Sequence, residues 1–218
     1  MDTSTIDIFL VDKNSKSPSI KHSKEPKHSK EPKQNHNMQS SKQQTLSNPN
    51  DKFYFYSKSK DVVPGKGTNE VVEDAAAYTE LATFKDWRKV LSNFHVCPFK
   101  YDGKTYNTIE HVFQAEKIAI VDTQKAEYFT VESGHEIGIG DGEMARKNRK
   151  LCKLNDAQLK EWGKIKDTIM HDAAVEKYKA CQEAREILKA TKNAQLWHIV
   201  SRSKPVRFEH LEQIRSSL

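Results

Sequence analysis

Phe99-Lys100-Tyr101-Asp102-Gly103-Lys104-Thr105-Tyr106 is followed at once by Asn107-Thr108-Ile109-Glu110-His111-Val112-Phe113-Gln114-Ala115-Glu116-Lys117. The first run sets an Asp-Gly pair between two short aromatic-bearing segments. That composition suits a two-residue type I′ turn and predicts a hairpin with Phe99 opposite Tyr106. The second run carries Ile109, Val112, Phe113 and Ile120 at helical spacing, which predicts a helix from about Thr108 to Val121. Glu110, Gln114 and Lys117 recur at i, i+4 and i+7, so they share one polar column beside the apolar stripe.

Working outward, Phe53–Tyr56 reads as a strand and Pro64-Gly65-Lys66-Gly67 as a loop. Leu81, Phe84, Trp87, Val90 and Leu91 have helical spacing, predicting a helix over Leu81–Asn93. Gly134–Gly142 reads as a flexible glycine-rich turn before a helix opening at about Glu143; it lacks the spacing of a dinucleotide or P-loop motif. In the long helix predicted over Asp156–Cys181, Leu159, Trp162, Ile165, Ile169, Ala173 and Tyr178 share a face, with Trp162, Lys166 and Met170 on an adjoining stripe. Leu196–Val200 then reads as a strand and Phe208–Leu218 as an amphipathic helix. The expected class is α+β, a mainly helical single domain over 51–218 with short strands and one hairpin.

Residues 1–50 read differently. Apart from a short apolar patch at Ile6–Val11, they consist largely of Lys, Ser, His, Pro, Gln and Asn, with KHSKEP repeated in tandem at 21–32. Such a segment has too little to bury to offset its ordering entropy, and it predicts a disordered low-complexity arm. The arm has eight Lys against five acids, +3 of the net +6, so the predicted domain is only mildly basic. A sequence pI near 9 permits polyanion binding but is weak evidence for it, because no dense Lys/Arg stripe accompanies it. No stretch has the length of a membrane span or the form of a signal segment, and an intracellular, cytoplasmic protein is expected. Cys97, Cys152 and Cys181 are widely spaced and lack metal-ligand or paired-motif spacing; free buried thiols, no metal and no cofactor are expected.

The succession Leu91-Ser92-Asn93-Phe94, Asp102-Gly103, then Glu110-His111-x-x-Gln114-x-x-Lys117 resembles the NADAR / YbiA-like family. The Ser57-Lys58-Ser59 and Pro64–Gly67 lead-in, Trp87-Arg88-Lys89, Ala145–Lys150, and Trp162 with Lys166 and Met170 fit the same pattern. The resemblance runs through about Tyr54–Tyr178. It implies hydrolysis of an N-glycosidic bond between a base-like amine and a phosphorylated ribose. The substrates it suggests are ribosylamino-pyrimidine intermediates of riboflavin synthesis, or ADP-ribose on a nucleobase, including one carried in nucleic acid. Family members of the riboflavin-intermediate type usually close on an Asp followed shortly by Trp-Gly. Here the chain instead runs Leu196-Trp197-His198-Ile199-Val200-Ser201-Arg202, which favours the ADP-ribosyl substrate.

Cleavage of a C1′–N bond builds positive charge on the ribose, so a carboxylate is needed beside it. Glu110 is the expected catalytic group, although Asn107-x-x-Glu110 also fits a capping box at the helix start. Lys117 and Lys166 are catalytic candidates through a Schiff base with the ring-opened sugar, with a solvated face or a phosphate contact as the alternatives. Trp162 can stack on a base or belong to the core. Asn93 can bond ribose hydroxyls or end a helix, and Phe94 and Gln114 join it as substrate-binding candidates. Lys66 and the Arg146, Lys147, Arg149 cluster are expected to supply phosphate contacts. His111 is expected at the edge of the core. His198 and His210, with Arg202, Lys204 and Arg207 for a second phosphate, complete the candidates. A module that binds ADP-ribose or NAD without turnover remains the non-enzymatic alternative.

Overall fold

Residues 47–218 are described in a computed structural model of the chain. The remainder of the predicted arm, 1–46, lies outside the described residues. The arm's last four residues pack onto a later segment: Asn193 N donates to Ser47 Oγ (3.3 Å) and Gln195 Nε2 to the Pro49 carbonyl (3.3 Å).

Strand β1 (Lys52–Phe55) alternates its side chains, so Phe53 and Phe55 are fully buried while Lys52 and Tyr54 are not. Two short 3-10 turns, Ala75–Tyr78 and Leu81–Thr83, lead to helix α1 (Trp87–Val90). Next come β2 (Phe99–Tyr101), β3 (Lys104–Tyr106) and α2 (Ile109–Ala119). Three short helices follow: α3 (Thr123–Glu127), α4 (Glu136–Ile139) and α5 (Gly142–Lys147). The second half holds α6 (Asp156–Ala180), α7 (Gln182–Ala190), β4 (Gln195–His198), β5 (Val206–Arg207) and α8 (Glu209–Ser217).

β4 lies between its two partners, parallel to β1 and antiparallel to β5, with Phe53 opposite Leu196 and Phe55 opposite His198. The inward aromatics continue the core: Phe53 meets Tyr78 and Trp87 edge-on, and Phe55 meets Phe208. β2 and β3 form the expected hairpin, with Phe99 paired to Tyr106. Asp102 (φ 46°) and Gly103 (φ 77°) both take the left-handed conformations that a type I′ turn demands. α2 packs against α6, α3 and α5, which places the polar column predicted on α2 between elements instead of at the surface.

Three expectations need correction. The single helix over Leu81–Asn93 is broken, because Asp86 is left-handed (φ 54°) and its amide is held by Asp61 Oδ1 (2.9 Å). Leu81, Trp87, Val90 and Leu91 are nevertheless buried. On α6 the buried face is Trp162, Lys166, Ile169, Met170, Ala173, Ala174, Lys177 and Tyr178, whereas Leu159 and Ile165 are exposed. Finally, Gly134–Gly142 is built for close packing. A Cβ on Gly138 would lie 2.0 Å from the Thr130 carbonyl oxygen, and one on Gly142 would lie 2.6 Å from Phe94 Cα.

Candidate active site

Thr108, not Asn107, caps α2: its hydroxyl accepts from His111 N (3.2 Å), while Asn107 Nδ2 reaches the Gly140 carbonyl (3.0 Å). The capping-box reading of Glu110 therefore falls. Glu110 stands at the second helical position, its amide donates to the Asn93 carbonyl (3.1 Å), and its side chain turns toward Gln114. Gln114 Nε2 donates to Glu110 Oε1 (2.8 Å), one turn along the predicted polar column.

Glu110 is 6% exposed, and burial pushes its carboxyl up to about 7. The bond from Gln114 opposes that rise, and so do the charges of Arg146, Arg149 and Lys117. Two more acceptors belong to the residues bonded to Glu110. Asn93 Oδ1 and Gln114 Oε1 are both buried with no hydrogen-bond donor among the described residues. Buried oxygens of this kind are costly unless a donor reaches them, and sugar hydroxyls are such donors.

Phe94 follows Asn93 and packs against Gly142 at the start of α5, with the Arg146 guanidinium carbon 5.9 Å from its ring centre. Arg146 also acts on His198 of β4, whose imidazole is held down to about 4, chiefly by burial. The structure thus brings together Glu110, Gln114, Asn93, Phe94, Arg146, Arg149 and Lys117. Arg146 is the strongest positive influence on Glu110 among them, a weight that spacing alone does not reveal.

Lys66, Trp162, Lys166, His111 and Arg207 make no side-chain bond to Glu110 or Gln114 among the described residues. Lys66 is exposed, and the Gly65 and Gly67 amides beside it already donate to Glu70 Oε2 (2.9 and 3.0 Å), so that loop offers no free amide cradle at either glycine. Glu70 in turn takes a two-point ion pair from Arg88 (2.7 Å at each oxygen). Trp162 is 2% exposed and packs edge-on against Phe113, in the core position its helical spacing also allowed. Lys166 is buried one turn further along α6. His111 is wholly buried, its two ring nitrogens bonded to Thr108 Oγ1 and the Ile137 carbonyl (2.8 Å each), deeper than the core edge expected for it. Arg202, Lys204 and Arg207 of the C-terminal basic trio are all exposed, and Arg207 is tied to Glu212 (3.0 and 2.8 Å). Cys181 is buried, but Cys97 and Cys152 are only partly so. Sequence reading missed Lys177, fully buried on α6; its one signal was a lysine in register with Met170, Ala173 and Ala174. Among the described residues no helix is long and apolar enough to cross a membrane.

The α+β fold agrees with what comparison with known proteins finds. The family model of the NADAR domain matches residues 81–204, and the chain belongs to that family. It is 33% identical over 105 residues to N-glycosidase YbiA of Escherichia coli (strain K12), and equally so to that of Shigella boydii serotype 4 (strain Sb227). In each case the match covers 48% of this chain and 59% of the relative, so the chain spans about three fifths of the length of the curated relatives it matches. The NMR structure of Escherichia coli YbiA superposes with a TM-score of 0.51 at 21% identity, covering 81% of this chain and 89% of that one, a likeness of fold.

Proposed function

We propose that the protein hydrolyses an N-glycosidic bond joining a base to a phosphorylated ribose, with Glu110 facing the anomeric carbon. The observation that carries the reading is the buried Glu110 carboxyl, bonded to Gln114, together with the buried side-chain oxygens of Asn93 and Gln114 that lack donors among the described residues. The names of the YbiA relatives support the same reaction class.

As the C1′–N bond breaks, charge develops on the ribose ring, and the ionised Glu110 stabilises it and orients the attacking water. Asn93 Oδ1 and Gln114 Oε1 accept from ribose hydroxyls. Arg146, Arg149 and Lys117 neutralise phosphate. Three cations grouped in this way suit the pyrophosphate of ADP-ribose, and the altered C-terminal run points the same way, so the substrate we favour is ADP-ribose on a guanine-type nucleobase. That substrate can be carried in nucleic acid.

The test is turnover by wild type and Glu110→Gln, side by side, on an ADP-ribosylated guanine oligonucleotide and on a ribosylamino-pyrimidine phosphate. The expected result is release of ADP-ribose from the first by wild type, with kcat reduced on the order of 10²-fold or more in the variant. Release of ribose 5-phosphate from the second substrate alone would replace the ADP-ribosyl assignment. Binding without product, unchanged in Glu110→Gln, would replace the enzyme by a binding module. A Schiff-base route through Lys117 or Lys166 requires that borohydride trap an adduct at one of them during turnover.

A further inference from the structure

Lys177 lies on α6 with no part of its side chain exposed, in a place where an amine is strongly disfavoured unless its protons are bonded. Its Nζ donates to the Val90 carbonyl (2.8 Å) and the Ser92 carbonyl (3.1 Å). No carboxylate bonds to it among the described residues. The groups that face it are His95, the thiols of Cys97 and Cys181, and the Tyr178 ring 5.4 Å away. Burial lowers the amine to about 8, so it can still be charged at neutral pH.

Those two carbonyls belong to the end of α1 and the turn that follows it. The same turn carries the proposed ribose contact: Phe94 N donates to Ser92 Oγ (3.2 Å), His95 N to the Ser92 carbonyl (3.2 Å), and Glu110 N to the Asn93 carbonyl (3.1 Å). The chain of bonds therefore runs from Lys177 through residues 90–93 to the start of α2. An apolar side chain at 177 would leave the Val90 and Ser92 carbonyls without this donor, and the turn would be free to relax.

We propose that Lys177 is a positioning residue of this site: its amine clamps the turn at residues 90–93 and so holds the Asn93 side chain and the Glu110 amide in their working geometry. The inference rests on the glycosidase reading for its catalytic consequence and on the hydrogen bonds alone for its structural one.

Two measurements on the full chain test it. The first is a double-mutant cycle of Lys177→Met and Asn93→Ala, read as kcat/KM on the ADP-ribosylated guanine oligonucleotide. Lys177→Met is expected to lower kcat/KM at least tenfold on its own, yet less than twofold in the Asn93→Ala background, because it acts through that residue. Losses that multiply across the cycle would overturn the clamp and leave Lys177 a packing residue. The second is amide hydrogen exchange of Glu110 and Phe94 without ligand, expected to be at least tenfold faster in Lys177→Met; unchanged rates would overturn the proposal as well. If Lys177→Met does not fold, Lys177→Gln, whose stem is one atom shorter and draws its NH₂ back from the two carbonyls, is measured in its place with the same outcomes. Absence of turnover in wild type would sink the glycosidase reading, and the exchange rates would then decide the clamp by themselves.

Discussion

Glu110 is held at the first turn of a helix, in a place that burial makes hostile to charge and that three cations make tolerable again. The balance leaves its carboxyl at about 7, near the pH where a group can serve as an acid or a base. If the ionised form does the work, kcat/KM rises with pH to a plateau above about 7. Arg146→Met removes the largest favourable charge, so the rising limb should move to higher pH and the KM for a phosphorylated substrate should increase. A limb that stays in place, read from pH–rate profiles of the two proteins, would show that Arg146 does not set the ionisation of Glu110. The same burial has a cost in stability. A folded-state value above the ordinary 4.5 gives a contribution fully present below about 4.5 and lost as pH rises through about 7. The gap between those values corresponds to ~3 kcal/mol. Glu110→Gln should therefore gain up to ~3 kcal/mol over wild type at pH 8 and nothing comparable at pH 4, measured by urea unfolding.

The Pro64–Gly67 loop shows how an element is fixed by a side chain far from it in sequence. Glu70 accepts from the Gly65 and Gly67 amides, and Arg88, on α1, grips Glu70 with two nitrogens while lying over the Trp87 ring at 4.0 Å. Arg88 also donates to the Val62 and Val63 carbonyls (2.5 and 3.2 Å). Both charged groups are out of water, with side-chain exposures of 3% for Arg88 and 0% for Glu70. Removing one partner strands the other, so Glu70→Ala should destabilise the fold by ~3–5 kcal/mol and expose the loop to limited proteolysis. A loss below 1 kcal/mol by denaturant titration would mean that the guanidinium finds water or another acceptor.

At the scale of the molecule, the parallel β1–β4 pair joins residues 52–55 to residues 195–198, and β4 is in turn covered by the segment leading into α8. The Phe208 amide donates to the Leu196 carbonyl (2.7 Å), and Glu212 Oε1 accepts from the Leu196 amide (3.0 Å). Leu196, fully buried, is thus where three distant segments meet. Leu196→Ala should cost ~2–5 kcal/mol and shift the tryptophan fluorescence and far-UV dichroism transitions together. Separated transitions would show that the sheet and the α2–α6 layer unfold as independent units.

Local chemistry alone determined the hairpin, because Asp102 and Gly103 adopt the left-handed turn whatever surrounds them. It also determined α2 and α6, because their apolar repeats are long enough to have one period, and it set Glu110 and Gln114 one turn apart on one helix face. Tertiary structure decided the rest. Which residue caps α2 depends on the Ile137 carbonyl of α4 engaging His111 and the Gly140 carbonyl just beyond it drawing Asn107. Whether Lys117, Lys166 or Lys177 is buried depends on which face of a helix meets a neighbour, a relation between segments that a lysine's local sequence does not encode. The raised ionisation of Glu110 has the same origin, since desolvation is a property of everything packed around a carboxylate, brought there by contacts across the length of the fold.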